Sequence, residues 1–393
     1  MTPVANAFGV GVVHMELFAN ILPDPTPISR VVDQVAATIT KPPSHHPENP
    51  MPSRAPSTSR LGLPASRQNP WQRNGRTLLA EATTDPDAAI RQAGLNWSVE
   101  RVDLRCADTL DPVPEFSAIR RSDTNGILGV VGRDYEPFQN SAAFSIFKDL
   151  AAVGRDDGGL PFTIETAGCF QGGKVVWALA HLPDLGIRIG DDESKTMLLV
   201  SNGHTGNRTL IIAPTTIRIV CRNSLRLAET QARERRKLPG LAGGFTLKHT
   251  PGIHEAVNEA KAAFAATIAS HKVTKAIWNR LADVPLTKKR ETDLMTMVFG
   301  KPGPDETDRA RALRKSREDR IATILASPTS QVRGTKDTLF SAMQAVVEYV
   351  DHDRTTRTSD GGDADESRLF SATFGSGADV KERAWTAALE LAA

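Results

Sequence analysis

Thr215-Thr216-Ile217-Arg218-Ile219-Val220-Cys221-Arg222-Asn223-Ser224-Leu225 is the stretch whose reading decides the fold. Its first half alternates Ile217, Ile219 and Cys221 with Thr216, Arg218 and Val220, and β-branched residues dominate. Such period-two alternation predicts a half-buried strand. Asn223 or Ser224 then offers a short side-chain oxygen that can cap a helix, satisfying an amide that the first turn leaves without a partner. On this predicted helix Arg222, Arg226, Arg233 and Lys237 recur at intervals of four, seven and four, which sets them on one face. Pro239-Gly240 stops it. A strand with a buried root thus delivers a basic helix edge, and no catalytic signature accompanies it.

Upstream, short strand candidates follow one another: Ser98–Leu104, Glu115–Arg121, Ile127–Arg133, Phe162–Phe170, Lys174–His181, Thr196–Ser201 and Thr209–Ala213. Asp123-Thr124-Asn125-Gly126 is a hairpin signal, because Asn-Gly accepts the positive φ angles of a tight turn. Gln171-Gly172-Gly173 between two alternating runs is another. Helices are expected over Leu78–Ala93, closed by the turn Gly94-Leu95-Asn96-Trp97, and over Asn140–Ala152, apolar at Ala143, Phe144, Phe147 and Leu150. Hairpins with inserted helices, rather than strict strand–helix alternation, predict an α+β fold: an antiparallel sheet built from hairpins with packed helices.

From about His254 the pattern turns helical: Ala256–Ser270, Val273–Ala282, Glu291–Phe299, the charged Asp305–Leu325, Asp337–Val350 and Asp379–Leu391. Asp351–Glu366 is acidic and rich in Gly, Thr and Ser, which reads as a loop. At the other end, prolines crowd Pro42 to Pro64 among Ser, Arg and His, with too little apolar surface to offset chain entropy. Residues 1–67 are therefore expected to be a disordered extension, 68–250 an α+β core domain, and 251–393 a mostly helical C-terminal region.

The 393 residues carry a net charge of only +2, so an affinity for polyanions has to come from local clustering. Cys106, Cys169 and Cys221 lack metal-type spacing, and their odd number speaks against a disulfide framework. No apolar run approaches the roughly 20 residues of a membrane span. The N-terminus lacks the order of a signal peptide, since His14 and Glu16 interrupt Val10–Phe18. The expectation is a soluble cytoplasmic protein with no membrane partner.

Between Arg208 and Lys237 eight Lys and Arg stand against two Glu, a local surplus of +6. Clustered cations neutralise phosphates and release counterions, which is the main source of non-specific affinity for nucleic acid. The alternative is a solvated face on which Glu229 and Glu234 pair with neighbouring basic residues. Tyr135 and Phe138 after Arg133, and Trp177 after Lys174, place rings near other cations, as stacking platforms for single strands require. Of these Trp177 reads as core, within Val175-Val176-Trp177-Ala178-Leu179, and Tyr135 is the better stacking candidate. The polar loop Ser201–Asn207 holds His204, which as an acid or base would need Asp123 or Glu165 as partner. Turn formation already accounts for that loop. His249 and His254, five apart in a loop, lack the helical spacing of a zinc pair, and His45-His46 reads as a solvated pair. Gly168–Gly173 matches no phosphate-loop or dinucleotide fingerprint. No cofactor, metal or catalytic residue is assigned.

One ordered series carries a resemblance. It runs through Trp71-Gln72-Arg73-Asn74-Gly75, Gly94-Leu95-Asn96-Trp97, Arg121-Ser122-Asp123-Thr124 and Leu128–Gly132, then Tyr135 to Asn140, Glu165–Gly168 and Gly172–Trp177. Ile217–Leu225, His249-Thr250, Glu348-Tyr349-Val350-Asp351-His352 and Phe374-Gly375 with Lys381 and Ala384 complete it. From about Trp71 to the C-terminus the chain resembles the phage/plasmid-like proteins grouped as a domain of unknown function (DUF 932). It departs from their usual pattern at Gln72, where they show His, and at Thr205, where they show Asp. The resemblance implies a mobile-element context and no settled activity.

The reading that follows is a non-catalytic protein, a homo-oligomer, that binds or anneals single-stranded DNA in recombination or replication beside phage or host replication proteins. Arg218, Arg222, Arg226 and Arg233 are expected at phosphates, with Arg121, Arg133 and Lys174 as secondary contacts and Tyr135 as a stacking residue. Against it stand a nucleic-acid- or nucleotide-processing enzyme using Asp123, Glu165 and His204, and an interaction module working through the helical half.

Overall fold

Val175-Val176-Trp177-Ala178-Leu179-Ala180 is buried at every position because the sheet to which it belongs is covered on both faces. The computed structural model of the chain describes residues 69–79, 84–152, 161–219, 224–225, 244–358 and 363–393. Among these, β1 (Arg76–Thr77), β5 (Thr163–Phe170), β6 (Val175–His181), β8 (Asp192–Gly203), β9 (Leu210–Arg218) and β10 (Ser224–Leu225) lie in that order across an eight-stranded sheet. Two further strands, β7 (Ile187–Ile189) beside β8 and β11 (Phe245–Leu247) beside β9, complete it, and every pairing is antiparallel. A smaller antiparallel sheet holds β2 (Val99–Arg105), β3 (Pro112–Arg121) and β4 (Ile127–Gly132).

Successive side chains of a strand point to opposite faces, and the two cores divide accordingly. Val176, Ala178, Ala180, Leu198, Val200 and Ile212 join one core with α2 (Pro86–Ala93), α3 (Asn140–Ala152) and the first turns of α4 (Ile253–Asp283). Val175, Trp177, Leu179, Met197, Leu199 and Ile211 point the other way. There they meet Trp71 from the short α1 (Pro70–Asn74) and Leu369 and Phe374 from α8 (Ala364–Phe374). Trp177 sits edge-on to Trp71 at 4.7 Å and stacked on Phe170 at 5.7 Å. Complete burial of an aromatic side chain of this kind contributes about 1.5–3 kcal/mol.

A third core lies within the helical lobe. It is built from the end of α4, α5 (Lys288–Phe299), α6 (Asp308–Leu325), α7 (Leu339–Glu348) and α9 (Ser376–Ala392), with Ile187 and Ile189 of β7 inserted. The architecture is α+β, hairpin-built antiparallel sheets with packed helices followed by a helical C-terminal region. Among the described residues no helix is long and apolar enough to cross a membrane.

Both expected hairpins form, with Asn125 at φ 57° and Gln171 at φ 51° in the left-handed region. Four expectations are corrected. Two strands expected over 209–213 and 216–221 are one strand, β9, since Pro214 sits opposite Leu198 without breaking the ladder. Ser224 caps no helix: Ser224 and Leu225 pair with Ile217 and Thr216, the edge of β9 giving their backbone a ladder partner. The helix expected over Leu78–Ala93 begins only at Pro86, where the Asp85 carboxylate accepts from Asp87 N and the proline fixes the first turn. Asp351–Glu366 is not all loop: a π-helical turn, Tyr349–Asp353, prolongs α7, and α8 starts at Ala364 behind the Asp363 cap. The extension expected over 1–67 lies outside the described residues, as does the basic helix.

Candidate functional site

The residues expected at phosphates part company. Arg222, Arg226, Arg233 and Lys237 lie outside the described residues. Arg218, the last residue of β9, points inward and is 1% exposed. Its Nε lies 2.8 Å from each carboxylate oxygen of Asp192 at the start of β8, and its Nη2 closes on Oδ2. Thr335 Oγ1 donates to the same carboxylate at 2.8 Å, which ties the sheet to the helical lobe. Tyr135 is buried, its hydroxyl donating to Gly203 O at 3.0 Å and its ring stacked on His249 at 5.1 Å. Burial raises its phenol above the ordinary range, so Tyr135 is an interior ring rather than a surface platform. Arg133 is exposed and bonded to Glu115 at 2.6 Å. Arg121 forks onto Asp123 at 3.0 and 2.7 Å, donates to Gly172 O at 2.7 Å, and lies 4.2 Å above the Trp97 ring.

Neither do the residues of the enzymatic alternative converge. Glu165 bonds Lys195 at 2.9 Å, and Asp123 is held by Arg121. His204 is fully buried, its Nε2 2.8 Å from Asn140 Oδ1, while Asn140 Nδ2 donates to the Leu95 and Trp97 carbonyls at 3.1 and 3.2 Å. Burial, assisted by His249 and Arg121, pushes the His204 imidazole down to about 3, and burial pushes His249 to about 4. Both are neutral packing elements at neutral pH. Among the described residues no hydrogen bond or ion pair joins any two of Asp123, Glu165 and His204. Among them, too, no three His, Cys, Asp or Glu side chains gather as metal ligands would.

Lys174, another predicted contact, lines a cavity among the described residues. This cavity, of about 890 Å³, lies between the β5–β6 turn, the segment 354–357 after the π-helical turn, the first turns of α8 and the start of α9. The β5–β6 turn reaches it through three consecutive left-handed residues, Gln171, Gly172 and Gly173. Gly173, at φ 103°, has to be glycine also because Arg121 and Trp97 press where a Cβ would stand. Gln171 N donates to Glu366 Oε1 at 2.6 Å, fastening the turn to α8.

Arg354 lines the cavity and is fixed at three points: its N donates to Tyr349 O at 2.8 Å, its O accepts from Arg368 Nε at 3.1 Å, and its Nη2 donates to Ser376 Oγ at 3.1 Å. Its Nη1 is buried with no hydrogen-bond partner, and so is Thr356 Oγ1. Lys174 and Arg357, also in the lining, form no ion pair among the described residues. Two carboxylates face these three cations, and both already accept amides: Asp363 from Asp365 N at 2.7 Å, Glu366 from Gln171 N. The cavity therefore holds cationic donors in excess, the chemistry of an anion site. Reading the sequence missed Arg354 and Arg357 because the acidic average of 351–366 hid them. The signal that could have found them is the interleaving of Arg354-Thr355-Thr356-Arg357-Thr358, cations alternating with hydroxyls.

No curated protein and no solved structure matches the chain. A family model does, over residues 127–373, a range that takes in the β5–β6 hairpin, the buried tie at Arg218 and most of the cavity. With well over half its length so matched, this chain belongs to the family described as "Domain of unknown function (DUF932)".

Proposed function

We propose that this protein binds single-stranded DNA without catalysing a reaction on it, in the annealing or recombination steps of a mobile element, and that Lys174, Arg354 and Arg357 take the phosphates. The observation that carries this reading is the cavity of about 890 Å³ in which three cationic side chains outnumber two amide-bonded carboxylates. Its size falls within the several-hundred-Å³ range of ligand sites, and Phe370 adds an aromatic wall. Arg208 lies 4.8 Å over that ring and brings a fourth cation near it. Arg121 and Arg133, each bonded to a carboxylate, stay secondary to the cavity cations.

Fluorescence anisotropy of a labelled single-stranded oligonucleotide tests the reading. Affinity should fall linearly with salt on logarithmic axes, with a slope of about −0.7 for each phosphate neutralised. Lys174→Ala with Arg357→Ala should weaken low-salt binding by about tenfold and reduce the slope by about 1.4, two contacts' worth. Absence of binding at low salt, or a double variant with unchanged slope, removes the cavity from the account.

A further inference from the structure

We infer that the cavity selects a phosphomonoester, the terminal phosphate of a strand or of a mononucleotide, over an internal phosphodiester; this rests on the single-strand reading above. A binder that tracks a strand without selecting its ends covers about 4–16 nucleotides per module along an open groove. A cavity of about 890 Å³ is on the scale of a single small ligand instead.

The residues that line it also suit a terminal phosphate. Arg354 Nη1 and Thr356 Oγ1 are buried and without partners, and a buried charged donor left unmet is costly. Lys174 approaches from the β5–β6 turn, whereas Arg354, Thr356 and Arg357 approach from the segment after the π-helical turn. A phosphomonoester brings about −1.5 to −2 of charge and three strong acceptor oxygens. An internal diester brings a single charge and two such oxygens. Three cations drawn from two segments match the former in donor number, and their two neighbouring carboxylates each have an oxygen engaged by a backbone amide. The start of α9 adds to this preference: Gly375 provides no side-chain cap, and Ser376, which lines the cavity, is held by Arg354 Nη2. Negative charge is favoured there by the helix dipole.

The test uses the full chain and an internally labelled single-stranded oligonucleotide in three forms: 5′-phosphorylated, 3′-phosphorylated and hydroxyl at both ends. A 5′-mononucleotide and inorganic phosphate serve as competitors and as ligands in thermal-shift assays. One phosphorylated form should bind about tenfold tighter than the hydroxyl form, and Arg354→Gln should abolish the difference. If Arg354→Gln fails to fold, Thr356→Val and Arg357→Gln, at partly or fully exposed positions, carry the same comparison. Equal, salt-sensitive binding of all three forms overturns the end selection and leaves the single-strand reading standing. Mononucleotide or phosphate binding that depends on Arg354, with no strand bound, keeps the phosphomonoester site and overturns the strand. No binding of any probe overturns both.

Discussion

Arg218 and Arg354 show how the same side chain serves two ends in one molecule. Arg218 closes β9, is buried, and grips Asp192 with Nε and Nη2 while Thr335 adds a bond to that carboxylate. Arg354 follows the π-helical turn, is anchored through its backbone and Nη2, lines the cavity, and keeps a buried Nη1 that has no hydrogen-bond partner. Arg354 is also the less buried of the two, but the difference that matters is one of satisfaction. A guanidinium bound to a carboxylate fixes two elements relative to each other, whereas one with a donor to spare has something to give a ligand.

The largest expected effect breaks the first half of this comparison. Asp192→Ala leaves the Arg218 charge buried without its carboxylate and should cost about 3–5 kcal/mol in urea denaturation. Adding Arg218→Met removes the stranded charge and should recover a good part of that loss. The nearby lobe contact leaves little room for relaxation, since Gly190 and Gly334 meet backbone to backbone and Asp191 N donates to Arg333 O at 2.9 Å. Arg354→Gln gives up only the bond to Ser376 and should cost about 0.5–1.5 kcal/mol. Equal losses in the two variants would make Arg354 a structural tie like Arg218.

His204 and His249 sharpen the comparison with groups that the interior keeps uncharged. Their folded values, about 3 and about 4, lie below the ordinary 6.5, so the unfolded chain binds more protons in between. Their neutral packing is fully stabilising above pH 6.5 and is lost as pH falls below it, levelling off near the folded values. Each contributes about 1.4 kcal/mol per pH unit in that window, roughly 2 kcal/mol per histidine at pH 5. Thermal unfolding between pH 7.5 and 5 should fall steeply, and His249→Phe should flatten the dependence by about half. That variant keeps a ring stacked on Tyr135. A profile unchanged by His249→Phe would mean the imidazole is open to solvent.

What was legible in the sequence follows from how local the determinants are. Asn125-Gly126 and Gln171-Gly172-Gly173 encode their turns through φ alone, so both hairpins could be placed from a few residues. Trp177 could be read as core because an apolar run leaves it no polar neighbour. The pairing of Ser224 with Ile217 was not legible, because cap-forming side chains say nothing of an open strand edge nearby. Arg218 looked like a surface cation from its alternation with Ile217 and Ile219. Only β8, which brings Asp192 from 26 positions away, makes its burial possible. Tyr135 reads as a stacking ring from its place after Arg133, yet its surroundings are set by Gly203 and His249, far along the chain. The cavity depends on three segments, around 171, 354 and 366, whose meeting no single window contains.

The smallest expected effect lies at Arg133, which separates charge from available charge. Arg133 and Glu115 are about two-thirds exposed and bonded to each other, and exposed pairs of this kind contribute about 0–1 kcal/mol. Arg133→Ala should leave the unfolding midpoint nearly unchanged, and oligonucleotide affinity within about twofold, because the charges concerned are exposed and screened by salt. Lys174→Ala removes a cation that no carboxylate holds among the described residues and should do more, although the residue is no more basic by composition. The sharper variant is Glu115→Ala, which frees the Arg133 guanidinium without adding a cation. If low-salt affinity rises in Glu115→Ala toward what the Lys174 site contributes, then the field over the small sheet steers the strand. If it does not, binding belongs to the cavity, and uncommitted donors at the right place, rather than cations in number, decide where a phosphate rests.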